Sequence, residues 1–283
     1  MARILLSTTI PYAEDDWHIG RFRLLRDHLV GLGHAVTARD RAADRRGDDR
    51  MLAELAAAPF DQLWLFAVDV GGGLTAADCA GILAFRARGG GLLATRDHQD
   101  LGACLAGLGT VGAAHHFHSV NLEPDPARRR ADDQATTDIS WPNYHTGANG
   151  DAQPIASAAG AHPLLRAADG MIRYLPAHPH EGAVGVPAGA AAFARVIARG
   201  VSTVSGCAVN LAVAFEGERD AGGRPLGRAV AQSTFHHFCD YNWDPRAGCP
   251  SFVTEPPGDG MLRDPRGLAD TRTYVANLAA WLS

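Results

Sequence analysis

The sequence predicts an α/β protein built on a flavodoxin-like parallel sheet with helices on both faces. Short apolar runs alternate with amphipathic stretches over the first hundred residues, and glycines or capping residues separate them. The chain has 283 residues, of which 46% are hydrophobic and 20% charged, so it can bury a full core. We therefore expect a single α/β domain over residues 1–283, with strand one central and strand four beside strand three.

The first half of the chain supplies the predicted parallel strands and their helices. Apolar residues recur at steps of three and four from Ile19 to Leu32, which is typical of one helical face. Thr75, with Asp78 three residues on, resembles a capping box at the start of another helix. The predicted strands are 4–7, 35–38, 63–68 and 92–95, and the predicted helices are 19–32, 51–58 and 75–88.

The second half is less regular. Periodicity is lost after Gly112, and we expect residues 112–185 to form an irregular, histidine-rich insertion that folds over the strand ends as a lid. Trp141, Tyr144 and Phe117 are aromatic anchors for it, because disordered segments usually lack such residues. Further strand-like runs, expected to extend the sheet, lie at 171–175, 193–198, 209–215 and 229–235, and a last helix at 268–282.

Composition excludes several classes of function. All 26 basic residues are arginine, against 31 acidic residues, so the formal charge is -5. Without lysine there can be no Schiff-base or P-loop lysine, and an acidic chain without a basic stripe binds nucleic acid or anionic membranes poorly. The glycine triplets Gly71-Gly72-Gly73 and Gly89-Gly90-Gly91 do not continue into a nucleotide-binding motif, so we expect no nucleotide cofactor. We expect the partner to be a small-molecule substrate.

The five cysteines and the N-terminal residues bear on the compartment. The cysteines are odd in number and contain no Cys-x-x-Cys pair, which favours free thiols over a disulfide framework or a thiolate zinc site. The apolar run that begins at Ile4 is too short for a signal peptide or a membrane span. We expect a cytoplasmic protein.

Candidate catalytic residues follow the predicted strands, because ligands of open α/β sheets bind outside the carboxyl ends of the strands. Strand four runs into Asp97 and His98, and the run 229–235 into His236 and His237. We assign these four residues to catalysis. Polar or aromatic residues of the same rim and of the insertion are assigned to substrate binding: Asp16, His18, Arg96, Trp141, Tyr144 and Glu181.

Histidines of the insertion predict a metal site. Imidazole is the commonest transition-metal ligand, and His-x-His on an extended segment places both rings on one side. We expect a divalent metal, with zinc favoured, and predict that at least two of these histidines lie within roughly 5 Å of His98 or His236. The predicted ligands are His115, His116, His118, His178 and His180.

Simpler interpretations stay open for several of these residues. A single histidine is more often a hydrogen-bonded structural residue than a ligand. Asp15 and Asp16 could cap the helix that begins near Ile19, and Cys104 is typical of a buried inert thiol.

Two segments carry a family resemblance. They are Gly89-Gly90-Gly91-Leu92-Leu93-Ala94-Thr95-Arg96-Asp97-His98 and Gln232-Ser233-Thr234-Phe235-His236-His237. This pattern resembles the class I glutamine-amidotransferase-like superfamily, and within it the trehalose-utilisation (ThuA-like) proteins. The amidotransferase elbow reads Gly-x-Cys-x-Gly, whereas this chain has no thiol there, so glutaminase chemistry is not expected.

The resemblance implies a histidine at the elbow, which His98 matches, and a late histidine, which His236 or His237 matches. It further implies a carbohydrate-related substrate and a divalent metal. Three hypotheses follow: a metal-assisted hydrolase, lyase or isomerase acting on a small polar metabolite; a non-catalytic metabolite- or metal-binding module; and a scaffold that acts only in a complex. The sequence leaves the oligomeric state open.

Overall fold

An eight-stranded mixed sheet organises the chain. The computed structural model describes residues 1–158, 160 and 162–283. The strands of the sheet are β1 (Arg3–Thr8), β2 (Ala35–Arg39), β3 (Gln62–Phe66), β4 (Gly91–Thr95), β5 (Ala156–Ser157), β6 (Ala194–Val201), β7 (Ala208–Phe215) and β8 (Ala229–Gln232). Their order is β2-β1-β3-β4-β8-β7-β6-β5. Pairing is parallel from β2 to β8 and antiparallel from β8 to β5.

The predicted α/β class with a flavodoxin-like parallel half is confirmed, and β4 lies beside β3 as expected. The central position predicted for the first strand is wrong, because β1 is second from one edge. The late antiparallel strands add to the sheet on the β4 side and move its centre to β4 and β8.

Helices cover both faces of the sheet. They are α1 (Arg23–Gly31), α2 (Arg50–Ala53), α3 (Ala76–Ala87), α4 (Gly109–Gly112), α5 (Asp240–Trp243), α6 (Gly260–Arg263) and α7 (Pro265–Trp281). Short 3-10 helices lie at Ile19–Phe22, Leu55–Ala57, Ala103–Gly107, Pro126–Arg128, Pro163–Leu165, Phe235–His237 and Pro245–Ala247. The capping box predicted at the start of α3 is present, with Thr75 and Asp78 bonding reciprocally.

Side chains that alternate along β1 divide the core between the two faces. Ile4 and Leu6 pack in the cluster that includes residues of α1 and α7, such as Leu25 and Leu278. Leu5 points to the opposite face, into the cluster that includes Ile82 of α3. Both clusters are fully buried at these positions, so the sheet is covered on both sides, as parallel strands require.

Residues 171–175, predicted as a strand that extends the sheet, do not join it. Gly170–Met171 pairs instead with Arg166–Ala167, and Tyr174–Pro176 pairs with Ala152–Pro154. The backbone N–H groups of Arg173 and Tyr174 donate to Asp270 Oδ2 of α7, at 2.8 and 3.2 Å, which turns this segment toward the helix. The prediction is therefore corrected.

Regular structure in the described part of the insertion is limited to three two-stranded sheets, strand β5 and the 3-10 helices Pro126–Arg128 and Pro163–Leu165. His115–His116 pairs with Ala183–Val184, and Ala152–Pro154 pairs with Tyr174–Pro176. Within residues 1–158, 160 and 162–283, no helix is long and apolar enough to cross a membrane. The five cysteines are free thiols.

Candidate metal and substrate site

Two neighbouring parallel strands bring the first residues of the site together. β4 pairs with β8 in register, Thr95 opposite Gln232, so the residues that follow each strand are also neighbours. The N–H of Phe235 donates to the carbonyl of Arg96 at 2.8 Å, and Thr234 Oγ1 donates to Asp97 Oδ1 at 3.0 Å. Asp97 and His236 thus lie at the carboxyl ends of two central strands, as the sequence predicts.

A loop of the insertion docks on these strand ends. The N–H of Gly182 donates to the carbonyl of Ser233 at 3.2 Å. A side chain at this position would meet the carbonyl oxygens of Asp97 and Ser233 at 2.5 and 2.6 Å, so only glycine permits the approach. The docking places His178 and His180 beside the residues that follow β4 and β8.

A cavity of about 460 Å³ opens at this point. That volume suits a small metabolite. It is lined by Asp16, Trp17, Val68, Val70, Asp97, His98, Gln99, Leu101, Thr136, Asp138, Ile139, Asn149, His178, His180, His236, Phe252, Val253 and Glu255.

Asp97 is the centre of a histidine cluster on the wall of the cavity. Its Oδ1 lies 3.1 Å from His178 Nε2, and its Oδ2 lies 3.1 Å from His98 Nδ1 and 3.8 Å from His236 Nε2. One oxygen of Asp97 and one nitrogen from each of His98 and His178 lie within 4.8 Å of one another. These three residues could hold a single metal ion.

Two of these nitrogens are poorly aligned for a hydrogen bond. His98 Nδ1 and His178 Nε2 are buried, and among the described residues neither has a well-aligned hydrogen-bonding partner, in spite of the 3.1 Å distance to Asp97. A buried polar atom without a partner is costly, so these two nitrogens are suited to a ligand that the protein does not itself supply.

Burial sets the charge state of the cluster. It lowers the pKa of His178 to about 4, against the opposing effect of Asp97, and it holds the pKa of His236 well below the ordinary range. Burial alone would favour the neutral acid of Asp97, but the adjacent His178 and His98 hold its pKa well below the usual value. The cluster is therefore a carboxylate next to imidazoles of low basicity.

His180 lies on the cavity wall in a different environment. Its Nε2 is 2.8 Å from Glu255 Oε1, and its Nδ1 is 2.9 Å from Asn143 Oδ1. Asn143 Nδ2 donates to the carbonyl of Ile139, so its oxygen is left to accept. Both ring nitrogens of His180 therefore face acceptors, which is the geometry of an imidazolium. Hydrogen bonding to His180 lowers the pKa of Glu255 to about 2.

His237, predicted to be catalytic, points away from the cavity. The 3-10 helix Phe235–His237 sends consecutive side chains in different directions, so His236 lines the cavity while His237 pairs with Glu181 at 3.0 Å. Both partners are almost completely buried. Glu181, predicted to bind substrate, also accepts from Ser233 Oγ at 2.6 Å and from Gln153 Nε2 at 2.7 Å.

The other predicted substrate-binding residues are distributed. Asp16 lines the cavity. His18 caps the 3-10 helix Ile19–Phe22, and its ring accepts from the N–H of Gly20. Arg96 is fully buried beneath Phe117, with its guanidinium carbon 4.2 Å from the ring centre, and it donates to the carbonyl of His116.

Trp141 and Tyr144 anchor the insertion at some distance from the cavity lining. The Trp141 ring lies 6.1 Å from that of His118, and Tyr144 Oη donates to the carbonyl of Arg128. Neither aromatic side chain lines the cavity. These contacts are of the kind predicted for anchors of the insertion, within the segment itself.

The predicted metal ligands divide into two groups. His178 and His180 reach the cavity: the rings of His178 and His236 stack at 3.7 Å, and the His180 ring is 5.4 Å from that of His98. The other three are not in its lining: His115 is buried against Phe117, His116 Nδ1 faces the carbonyl of Asn121, and His118 bonds Ser140 Oγ.

Asp15 and Asp16 do not cap a helix, since His18 fills that position. Asp15 instead accepts from the N–H of Ser251 at 2.7 Å. The buried Cys104 donates to Asp69 Oδ2 at 3.0 Å, and burial raises the pKa of this thiol well above its ordinary value. It is the inert thiol that the simpler interpretation predicts.

Sequence reasoning missed Asn149, Asn242 and Glu255. Asn149 and Asn242 bond the Nδ1 atoms of His178 and His236, at 2.9 and 2.8 Å, and Glu255 bonds His180. Asn242 follows His236 closely, in α5, but an asparagine more often indicates a turn or a cap, and Asn149 and Glu255 carry no local signal.

Comparisons with known proteins find similarity among solved structures. No protein-family model matches the chain, and no curated protein matches it. Among solved structures, the glutaminase domain of Trypanosoma brucei CTPS, with bound acivicin, is similar at 15% identity and a TM-score of 0.47, over 99% of this chain and 93% of that one. This similarity assigns no function to the chain, and the ThuA-like resemblance stays a prediction.

Proposed function

We propose that this protein is a metal-dependent enzyme in which Asp97, His98 and His178 hold a divalent cation. The observation that carries the proposal is the pair of buried nitrogens, His98 Nδ1 and His178 Nε2, each 3.1 Å from an oxygen of Asp97 but poorly aligned for a hydrogen bond with it. A lone pair that faces a carboxylate oxygen at this distance is repelled by it, and a cation shared by both removes the repulsion. One carboxylate and two imidazoles form a ligand set that suits zinc or a similar first-row ion.

The charge of the cavity lining points to the class of substrate. Four carboxylates line it, from Asp16, Asp97, Asp138 and Glu255, and the lining contains no arginine. A phosphorylated metabolite would find no guanidinium partner here, so the cavity favours a neutral or cationic metabolite. Trp17, Phe252 and Val253 offer apolar surface to a substrate that has one apolar side, as many sugars have.

The chemistry that fits is hydrolysis, lyase cleavage or isomerisation of such a metabolite. A bound divalent ion supplies a Lewis acid and lowers the pKa of its water to about 7. Burial lowers the pKa of His236, so a neutral imidazole that can accept a proton faces the same space. His180, hydrogen-bonded to Glu255, is a second group there that can exchange a proton with a substrate. This chain therefore offers acid and base groups without a reactive lysine or thiolate.

A non-catalytic metabolite- or metal-binding module is the alternative, because the same ligand set could hold a cation for sensing. Turnover separates the two. We expect hydrolysis, lyase or isomerase activity on a panel of neutral and amine-bearing polyols and sugars that is lost with a chelator and restored by added metal. A stoichiometric metal without turnover on any member of that panel would favour the binding module.

Metal content tests the site itself. We expect about one divalent ion per chain after equilibration with zinc and dialysis, measured by elemental analysis. Asp97→Asn and His178→Ala should each retain less than about a tenth of it, because each removes one ligand. His34→Gln is the matched control, since His34 accepts from the N–H of Ala2 and lies outside the cavity lining.

The loop histidines distinguish this ligand set from the one that the sequence predicts. His118→Ala should retain the metal, because His118 is exposed and bonds Ser140 away from the cavity lining. Metal lost in His118→Ala but kept in Asp97→Asn would overturn the assignment of Asp97, His98 and His178.

A further inference from the structure

Two buried asparagines stand behind the stacked rings of His178 and His236. Asn242 Nδ2 donates to the carbonyl of Ala177 at 2.9 Å, and a carbonyl can only accept. The orientation of the Asn242 amide is therefore fixed, with its oxygen toward His236. That oxygen lies 2.8 Å from His236 Nδ1, so Nδ1 must carry the proton.

The same amide fixes the second histidine through Asn149. Asn242 Nδ2 also donates to Asn149 Oδ1 at 2.8 Å, which identifies that oxygen as an acceptor. Asn149 Oδ1 lies 2.9 Å from His178 Nδ1, and this nitrogen must therefore also be a donor. Both histidines therefore carry a proton on Nδ1, which leaves Nε2, the atom that faces Asp97, as the nitrogen that can hold a lone pair.

Because these side chains are buried, any other orientation of the two amides has a higher free energy. Asn242 is completely buried and does not line the cavity, so water cannot substitute for a partner that its amide loses. Reversing either amide would place an N–H against an N–H, or two oxygens together, at a cost of about 1–3 kcal/mol for each buried group left without a partner. A single backbone carbonyl thus determines the protonated nitrogen in two rings.

We propose that Asn242 is a positioning residue that, directly and through Asn149, sets His236 and His178 in the Nδ1–H tautomer. The consequence for metal binding rests on the proposed function, because the Nε2 lone pair of His178 is one of the three ligands. The tautomer itself does not depend on a metal. It follows from the hydrogen bonds of the four side chains and the Ala177 carbonyl.

The experiment reads the tautomers in the metal-free full-length protein. Long-range proton–nitrogen spectra of 15N-labelled protein distinguish a protonated ring nitrogen from one with a lone pair, and His178→Gln and His236→Gln identify the two sets of signals. We expect protonated Nδ1 and unprotonated Nε2 in both rings of the wild type. Protonated Nε2 in either ring would overturn the proposal.

Two substitutions of Asn242 test its role. Asn242→Leu should give mixed tautomers in both rings and weaken zinc at least tenfold, measured by competition with a chelator. Asn242→Asp keeps an acceptor for His236 Nδ1 but loses the donor to Asn149, so it should preserve the tautomer of His236 and release that of His178. This difference between the two rings is not expected from a merely structural role.

Asn277→Leu is the matched control, because Asn277 Nδ2 also donates to backbone carbonyls, those of Leu164 and Arg166, outside the cavity lining. It should leave both tautomers unchanged. Unchanged tautomers in Asn242→Leu would refute the proposal, and if that variant fails to fold, the wild-type spectrum still decides. The expected tautomers without zinc affinity would contradict the metal site and support the assignment of Asn242.

Discussion

Histidine has three different roles in this protein, and the residues that contact each ring determine which role it has. His98, His178 and His236 surround a carboxylate in the cavity, while His237, next in the chain, is part of a buried hydrogen-bond network. His162 caps a 3-10 helix. The sequence shows which strand ends carry histidines. It does not show which residue each histidine contacts in the fold, and that contact determines its role.

Glu181 should be important for the stability of the fold. Glu181→Ala should lower the free energy of unfolding by about 3–5 kcal/mol, because it leaves His237, Ser233 and Gln153 buried without their acceptor. Urea denaturation measures the loss. Glu54→Ala removes only an exposed pair with Arg50 and should change stability by less than about 0.5 kcal/mol.

The sequence predicts that Glu181 binds substrate, and the same variant can decide between that role and the structural one. A Glu181→Ala protein of wild-type stability that has lost substrate affinity would support the sequence-based assignment. The contacts seen here favour a structural role, since Glu181 is completely buried and does not line the cavity.

At the scale of elements, the buried strands could be predicted because each is a short apolar run ended by glycine or polar residues. Asp97 and His98 follow from that pattern alone, since the carboxyl ends of parallel strands define the rim. The contribution of the insertion could not be predicted in the same way. His115–His116 and His178–Pro179–His180 look alike in sequence, yet the first pair is turned inward by its pairing with Ala183–Val184.

The sequence predicts that residues 171–175 extend the sheet, and this prediction is wrong for a related reason. A short apolar run is consistent with any strand, and only the carboxylate of Asp270, distant in sequence, binds the N–H groups of Arg173 and Tyr174 and turns the run away from the sheet. Long-range hydrogen bonds of this kind leave no local signal.

His162 should make the folded protein less stable in acid. Its Nδ1 accepts from the N–H of Leu164 at the start of the 3-10 helix Pro163–Leu165, and its ring meets Trp281 of α7 edge-on at 5.5 Å. Burial lowers its pKa from 6.5 to about 4. The unfolded chain therefore binds this proton more readily than the folded one, and the stabilisation present above pH 6.5 is lost as the pH falls toward 4.

His162→Asn keeps a capping oxygen but does not titrate. Between pH 7 and pH 5 the wild type should lose roughly 1–2 kcal/mol more than this variant, as measured by urea denaturation at each pH. Parallel pH profiles for the two proteins would show that His162 does not contribute to acid sensitivity.

At the scale of the whole molecule, three segments far apart in sequence enclose the cavity above the sheet. Asp15 binds Ser251, and Thr136 Oγ1 donates to Glu255 Oε1 at 2.6 Å, so the segment around residues 251–255 is tied both to the loop after β1 and to the insertion. Phe252, 57% exposed, stands at the opening. The cavity is thus assembled only when the whole chain has folded, and its ligands should stabilise the whole fold.

Zinc should raise the temperature at which the protein unfolds. A ligand that binds only the folded state stabilises it by about 2.7 kcal/mol at a hundredfold excess over Kd. For a chain of 283 residues, with an unfolding entropy of about 2.1 cal/mol/K per residue, the Tm should rise by roughly 4–5 °C, followed by calorimetry or circular dichroism, and return with a chelator. His34→Gln should show the same rise, because His34 is outside the cavity lining.

Asp97→Asn should separate metal binding from stability. Without metal, a neutral His178 would present its Nε2 lone pair to the Asp97 carboxylate, whereas an amide of the same shape can donate a hydrogen bond to that nitrogen. The metal-free variant should therefore be at least as stable as the wild type, while its Tm should rise by less than about 2 °C with zinc. If Asp97 instead formed an ion pair with a protonated His178, the substitution would lower the Tm without metal, since it would leave a buried cation unpaired. The direction of that shift decides whether the cluster is built around a metal ion or around a proton.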